Sequence, residues 1–193
     1  RNFCGNELPD GMRKNEAFPE PIITPSTKAA QGEHDESVAP SELYKRGAVD
    51  PGLYKELARI SMRLYERGVS RAADHGMIFV DTKYEFGISN GKIMLMDEVN
   101  TPDSSRYWMK DDYESRFEKG EEPRKLDKEY VRTWLSEQGF TGDGEPPKLT
   151  DDIRVEASAR YMEVVEKFTG EPMQLDVGPV DKSIYSILNP FAY

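Results

Sequence analysis

The sequence predicts an α+β fold in which a small antiparallel sheet is flanked by helices. Two stretches of helical periodicity and a strong hairpin signal between them carry that prediction. From Pro51 to about Gly76, Leu53, Leu57, Ile60, Leu64 and Ala72 recur at three- or four-residue steps or whole turns, which lines one helix face with apolar side chains. From 149 to 169, Ile153, Ala157, Tyr161, Val164, Val165 and Phe168 do the same. Between them Tyr84, Phe86 and Ile88 alternate with Glu85 and Gly87, and Ser89-Asn90-Gly91 then turns the chain. An Asn-Gly pair favours a tight hairpin because both residues tolerate positive φ.

The elements follow in order. Residues 1–40 are rich in proline, glycine and short polar side chains, as in Phe18-Pro19-Glu20-Pro21 and Thr24-Pro25-Ser26-Thr27-Lys28. Proline removes a backbone donor and disfavours helix before it, so short extended pieces joined by loops are expected, with a strand at Ile22-Ile23. The run from Thr24 to Asp35 is either a ligand-holding loop or a solvated connector. A short helix begins near Ser41. Asp50-Pro51 supplies an N-cap and a first-turn proline for the long helix, and Gly76 ends it. Met77 to Val80 reads as a buried strand, and Lys92 to Glu98 as the return strand of the hairpin. Helices are expected near 110–119 and 127–138. Thr150-Asp151 caps the helix of 149–169, and Gly170-Glu171-Pro172 stops it. The tail, Met173 to Tyr193, is irregular and ends in apolar and aromatic residues suited to docking on the body or on a partner.

A chain of 193 residues is long enough for one well-cored domain, or one with an appendage. Its formal charge of -10 excludes the basic face that a nucleic-acid backbone needs, but not a nucleotide substrate held by a few local cations. The single cysteine, Cys4, excludes an internal disulfide and reads as a semi-buried thiol rather than a nucleophile. With no apolar run of membrane-spanning length and no basic-then-apolar leader, a soluble cytoplasmic protein is expected. The chain opens on Arg1 rather than Met, which predicts that something upstream has been removed.

The informative stretch is Val80 to Trp108. Glu85 precedes the hairpin turn and Asp97 follows it, so strand pairing brings the two carboxylates close. Paired hard oxygens beside a phosphate site suit Mg²⁺, which takes one or two protein carboxylates together with substrate oxygens. Lys83 is available as a point charge for phosphate, and Arg106, after Asp103 in a proline-containing turn, can grip a phosphate or carboxylate with two donors. The plainer alternative is a solvated strand edge, with Lys83 a surface cation paired to Asp81.

Asp81-Thr82-Lys83-Tyr84-Glu85-Phe86-Gly87 resembles the D-x-K-x-E-F-G motif of the SAICAR synthetases. Asp97-Glu98-Val99-Asn100-Thr101-Pro102-Asp103-Ser104-Ser105-Arg106-Tyr107-Trp108 is similar to that family's second signature segment. Phe18 to Lys28 with Gly32 to Glu36 resembles a loop of its fungal-like branch. Tyr130 to Leu135 and Phe168-Thr169-Gly170 also fit, so the resemblance spans about 3 to 172. It implies the family's larger lobe, a substrate- and nucleotide-binding domain over 1–172 followed by an extension over 173–193.

It also implies an ATP-dependent ligase of de novo purine biosynthesis that joins L-aspartate to carboxyaminoimidazole ribonucleotide. The family phosphorylates the substrate carboxylate, and the aspartate amine attacks the acyl phosphate. Carried onto this chain, Glu85 and Asp97 fall on nucleotide and Mg²⁺ positions. Lys83, with Asp81 of the same motif, falls beside the reacting groups. Asp103 and Arg106 match ribonucleotide contacts, with Arg106 at the 5′-phosphate, and Lys28 and Asp35 match the loop at the imidazole and carboxylate end. ATP and Mg²⁺ are the implied cofactors.

The family's N-terminal, ATP-covering lobe and its phosphate-binding segment rich in Arg, Gly and Ser have no counterpart in these residues. The expectation is therefore a chain that is a weak or inactive catalyst alone, its missing lobe either supplied by a homo-oligomer or a partner or lost by processing, truncation or sequence selection. Two alternatives stay open: a catalytically silent nucleotide-binding module or subunit of a larger complex, and a different carboxylate-activating ligase on the same scaffold.

Overall fold

The computed structural model of the chain describes residues 1–27, 35–126, 128–142, 144–173, 178, 179, 182 and 189. Lys28, the start of the helix expected at 127 and most of the tail after Met173 lie outside the described residues.

The chain opens with β1 (Asn2–Phe3) and β2 (Asn6–Glu7), joined by Cys4 and Gly5 at φ 51° and 84°. Two central residues at positive φ make a two-residue hairpin loop, with Phe3 opposite Asn6. The predicted strand at Ile22-Ile23 does not form. That segment is held instead by the Asn6 side-chain amide donating to the Ile23 carbonyl at 2.8 Å, and by an isolated bridge between Ser26 and Ser37. Prolines at 19, 21 and 25 deprive it of ladder donors.

The short helix α1 spans Pro40–Lys45, and α2 spans Pro51–Asp74. The Asp50 carboxylate caps α2, accepting from the Gly52 and Leu53 amides at 2.9 and 3.0 Å. At the far end Gly76, φ 72°, turns the chain into β3 (Met77–Thr82). The hairpin of β4 (Glu85–Ser89) and β5 (Lys92–Met96) forms around Asn90 and Gly91 at φ 50° and 73°, as its sequence predicts. Its return strand stops at Met96, short of the expected Glu98, because Asp97 enters the left-handed region at φ 64°. Then come β6 (Ser105–Met109), α3 (Tyr113–Lys119), α4 (Glu129–Glu137) and α5 (Asp151–Thr169), the last capped by Thr150 and ended by Gly170 at φ 78°.

The strands among the described residues form three two-stranded antiparallel sheets rather than one central sheet: β1–β2, β3–β6 and β4–β5. The core lies where β3 and β6 meet α2 and α5. Met77, Phe79, Tyr107, Met109, Ala72, Leu126 and Val164 are buried there, with Tyr65 and Phe168 packed against them. The Phe79 and Tyr107 rings stand 5.0 Å apart, and Tyr107 meets Phe168 edge-on at 5.9 Å. Gly68 lets α2 approach β3 closely: a methyl on it would come within 2.7 Å of the Phe79 ring. Among the described residues no helix is long and apolar enough to cross a membrane.

Candidate functional site

The residues that carry chemistry sit on β3, on the hairpin after it, and on β6. β3 and β6 run antiparallel, with Phe79 opposite Tyr107. An unbroken ladder would then set Val80 against Arg106. The register shifts between Phe79 and Asp81, and this bulge sets Asp81 against Arg106 instead. The Tyr65 hydroxyl of α2 lies 3.2 and 3.0 Å from the Phe79 and Val80 carbonyls, giving the backbone at the bulge a donor. Arg106 is therefore a strand residue and not the turn residue that Pro102 and Asp103 suggested. Its Nε donates to the Asp81 carboxylate oxygens at 2.8 and 3.0 Å, and its Nη2 donates to Oδ2 as well. A guanidinium gripped along one edge is fixed in its plane.

Lys83 does not pair with Asp81. Its Nζ lies 2.8 Å from Glu85 Oε1 and 3.2 Å from Asp35 Oδ2. The Glu85 hydrogen bond holds the ammonium above the usual lysine range against the opposing pull of partial burial, and Asp35 adds to the effect. The Glu85 side chain is 16% exposed, whereas Lys83 is 53% exposed. The acid is thus sheltered while the cation reaches solvent.

In the hairpin Glu85 is paired with Met96, so Asp97 is the residue directly after Glu85's partner. Asp97 is exposed. Glu85 and Asp97 offer only carboxylate oxygens, the donor type that Mg²⁺ takes, and the ammonium 2.8 Å from Glu85 marks a place that favours positive charge. Among the described residues no three His, Cys, Asp or Glu side chains gather as a metal-holding group. A cation held by this pair would take its remaining ligands from substrate or water, as Mg²⁺ commonly does.

Asp103 points elsewhere. Its Oδ1 lies 3.5 Å from the Tyr161 hydroxyl of α5 and 3.7 Å from Lys128 Nζ. The structure thus joins Asp81 with Arg106, and Lys83 with Glu85 and Asp35, while Asp97 directly follows Met96, the ladder partner of Glu85. It gives Asp103 a separate setting. Cys4 is a partly buried free thiol, as expected.

Two features escaped the sequence reading. The Tyr84 hydroxyl, between Lys83 and Glu85 in the chain, donates to the Asn100 side-chain oxygen at 2.7 Å. Thr82, Ser105, Ser104 and Thr101 also form a run of hydroxyl contacts that ends at the Glu98 carboxylate. The density of Thr and Ser around Glu98 and Asp103 was the available signal. The pairing of Thr82 with Ser105 needed the β3–β6 register.

Comparison with known proteins identifies the family. The family model described as SAICAR synthetase matches residues 2–148. A phosphoribosylaminoimidazole-succinocarboxamide synthase of Bacteroides thetaiotaomicron is 53% identical over 173 residues, covering 89% of this chain and 55% of the relative. The solved SAICAR synthase of Saccharomyces cerevisiae complexed with SAICAR superposes with a TM-score of 0.72 at 34% identity, over 89% of this chain and 54% of that one. A SAICAR synthetase structure in complex with ADP superposes with a TM-score of 0.62 at 26% identity, over 85% of this chain and 57% of that one. The bacterial relative is more similar than the yeast structure, so placement in a fungal-like branch is not supported. The chain spans about half the length of the relatives that it matches.

Proposed function

The chain belongs to the SAICAR synthetase family, and on that premise we propose that it carries the metal- and ribotide-contacting face of an ATP-dependent ligase that joins L-aspartate to carboxyaminoimidazole ribonucleotide. The observation that carries this reading is Lys83 held between Glu85 and Asp35 at 2.8 and 3.2 Å, with Asp97 directly following Met96, the ladder partner of Glu85.

Phosphoryl transfer asks a protein for position and charge compensation more than for a nucleophile. Glu85 and Asp97 are the residues that would hold Mg²⁺. When bound, that ion supplies charge neutralisation at the nucleotide phosphates. Lys83, tethered by Glu85, stays protonated and offers its ammonium where the substrate carboxylate meets the transferring phosphoryl group. Its half-exposed side chain leaves that charge open to a ligand. Asp81 fixes the Arg106 fork, which would bind the 5′-phosphate of the ribotide. Asp35, and Lys28 beyond the described residues, would meet the imidazole and carboxylate end, and Asp103 the ribotide. A cytoplasmic setting goes with this reading, and the free Cys4 thiol suits it.

The test is ADP release from ATP and Mg²⁺ in the presence of aspartate and the ribotide, beside Glu85→Ala and Asp97→Ala. Release that requires both acceptor substrates and disappears in both variants supports the assignment. Release that persists in both variants, or that needs neither acceptor, removes it.

A further inference from the structure

Asn100 makes more structured contacts than its place in a loop suggests. Its backbone lies in the left-handed region at φ 59°, which asparagine tolerates better than most residues. Its side-chain oxygen accepts from the Tyr84 hydroxyl at 2.7 Å, and its backbone carbonyl accepts from the Tyr107 hydroxyl at 2.5 Å. Its side-chain nitrogen sits over Gly68 of α2, only 3.1 Å from where a methyl on that glycine would be. Tyr107 is fully buried and Tyr84 and Asn100 are partly buried, so water competes poorly with these bonds.

The two ends of the Tyr84–Asn100 bond matter for the site. Tyr84 is the residue between Lys83 and Glu85. Asn100 is three residues after Asp97, which itself turns the chain at φ 64°. The hairpin ladder ends at the Glu85–Met96 pair, so no further ladder bond fixes Asp97 against Glu85. The Tyr84 hydroxyl bridges that gap.

We infer that Asn100, clamped by Tyr84, is a positioning residue that sets Asp97 against Glu85 and so tunes the affinity of this face for a divalent cation with its nucleotide. The inference rests on the reading of Glu85 and Asp97 as the cation-holding pair. Asn100 itself touches no ligand in this account. It acts through the conformation of residues 97–100.

The test uses the full chain and four variants: Tyr84→Phe, which removes only the hydroxyl; Asn100→Gly, which keeps the left-handed backbone and removes the acceptor; the double variant; and Asn100→Asp, which keeps an acceptor. Two readouts are taken: the Mg²⁺ concentration that half-saturates ATP binding by calorimetry, and hydrogen–deuterium exchange over residues 97–101 without nucleotide. Tyr84→Phe and Asn100→Gly are each expected to raise the half-saturating Mg²⁺ by about tenfold and to speed exchange over 97–101, with β3 and β6 unaffected. The double variant is expected to match the worse single variant, because the two changes break one bond. Asn100→Asp is expected to restore protection. Wild-type exchange over 97–101 in both single variants overturns the clamp. Faster exchange with unchanged Mg²⁺ dependence overturns its role in cation affinity. A wild-type chain that shows no Mg²⁺-dependent ATP binding overturns the Glu85–Asp97 reading, and the cation part of the inference with it, while the exchange data still decide the clamp.

Discussion

Lys83 Nζ stands 2.8 Å from a Glu85 carboxylate oxygen, two residues along the same chain, and Asp35 closes on it from a distant loop at 3.2 Å. Two charges of one motif thus form an ion cluster with a distant acid, while the motif's third charge, Asp81, is held by Arg106; within the cluster Glu85 is sheltered and the cation faces out. Lys83→Met tests what that cluster is for. Lys83 is half-exposed, and pairs of this kind contribute at most about 1 kcal/mol to stability. Turnover is expected to fall by about 100-fold, the scale for losing a charge-compensating group. Denaturant titration beside steady-state kinetics separates the two effects, and equal loss of both would make Lys83 structural.

Arg106 and Asp81 give a second prediction. Arg106→Lys keeps the charge and loses the planar fork that Asp81 grips through Nε and Nη2. The expected result is a rise of about tenfold in KM for the phosphorylated ribotide with kcat nearly kept, a pattern that marks lost uniform binding. The corresponding nucleoside without its phosphate is expected to bind both proteins alike.

The core makes a prediction independent of function. A methyl at Gly68 would lie 2.7 Å from Phe79 Cε1 and 3.0 Å from Cδ1. Gly68→Ala is therefore expected to destabilise by about 1–3 kcal/mol despite the higher helix propensity of alanine. Phe79→Ala, which empties the same contact from the other side, is expected to cost about 3–5 kcal/mol. Urea titration measures both.

Alkaline pH gives a fourth. Burial pushes the Tyr84 hydroxyl up to about 12 from the ordinary 10.0, and pushes Tyr107 and Tyr65 up as well. A raised pKa in the folded state means stabilisation that is complete below the unfolded value and is lost as pH climbs through the folded one. Stability is expected to hold to about pH 10 and to decline toward about pH 12. Lys83, also raised, acts in the same direction. Denaturant titrations across that range, with tyrosinate absorbance as a second probe, check it. A full complement of ionised tyrosines in folded protein at pH 10 would contradict it.

Much of the fold was legible because its signals are local. Asp50-Pro51 marked the start of α2, Asn90-Gly91 marked the hairpin, and Gly170 marked the end of α5, each by a rule that reads a few adjacent residues. What was missed depends on distant partners. Ser105 to Met109 follows Pro102 and Asp103 and looks like the rest of a turn, and only pairing with β3 makes it a strand. The bulge at Val80, which brings Asp81 to Arg106, leaves no mark in composition. Cys4-Gly5 is a weak turn pair, and the hairpin it joins has strands of only two residues. For the site, the residue types at 81, 83, 85, 97, 103 and 106 were readable from the motifs. Their partners were not: the Asp35–Lys83 and Tyr84–Asn100 contacts cross 48 and 16 residues.

The central claim is that Glu85 and Asp97 together hold a divalent cation for a nucleotide, and calorimetric titration of ATP into the chain with and without Mg²⁺ tests it most directly. The expected result is Mg²⁺-dependent binding, weakened at least about tenfold by Glu85→Gln and by Asp97→Asn alike, with no heat of binding when Mg²⁺ is withheld. ATP binding that ignores Mg²⁺, or that both variants leave unchanged, would contradict the account.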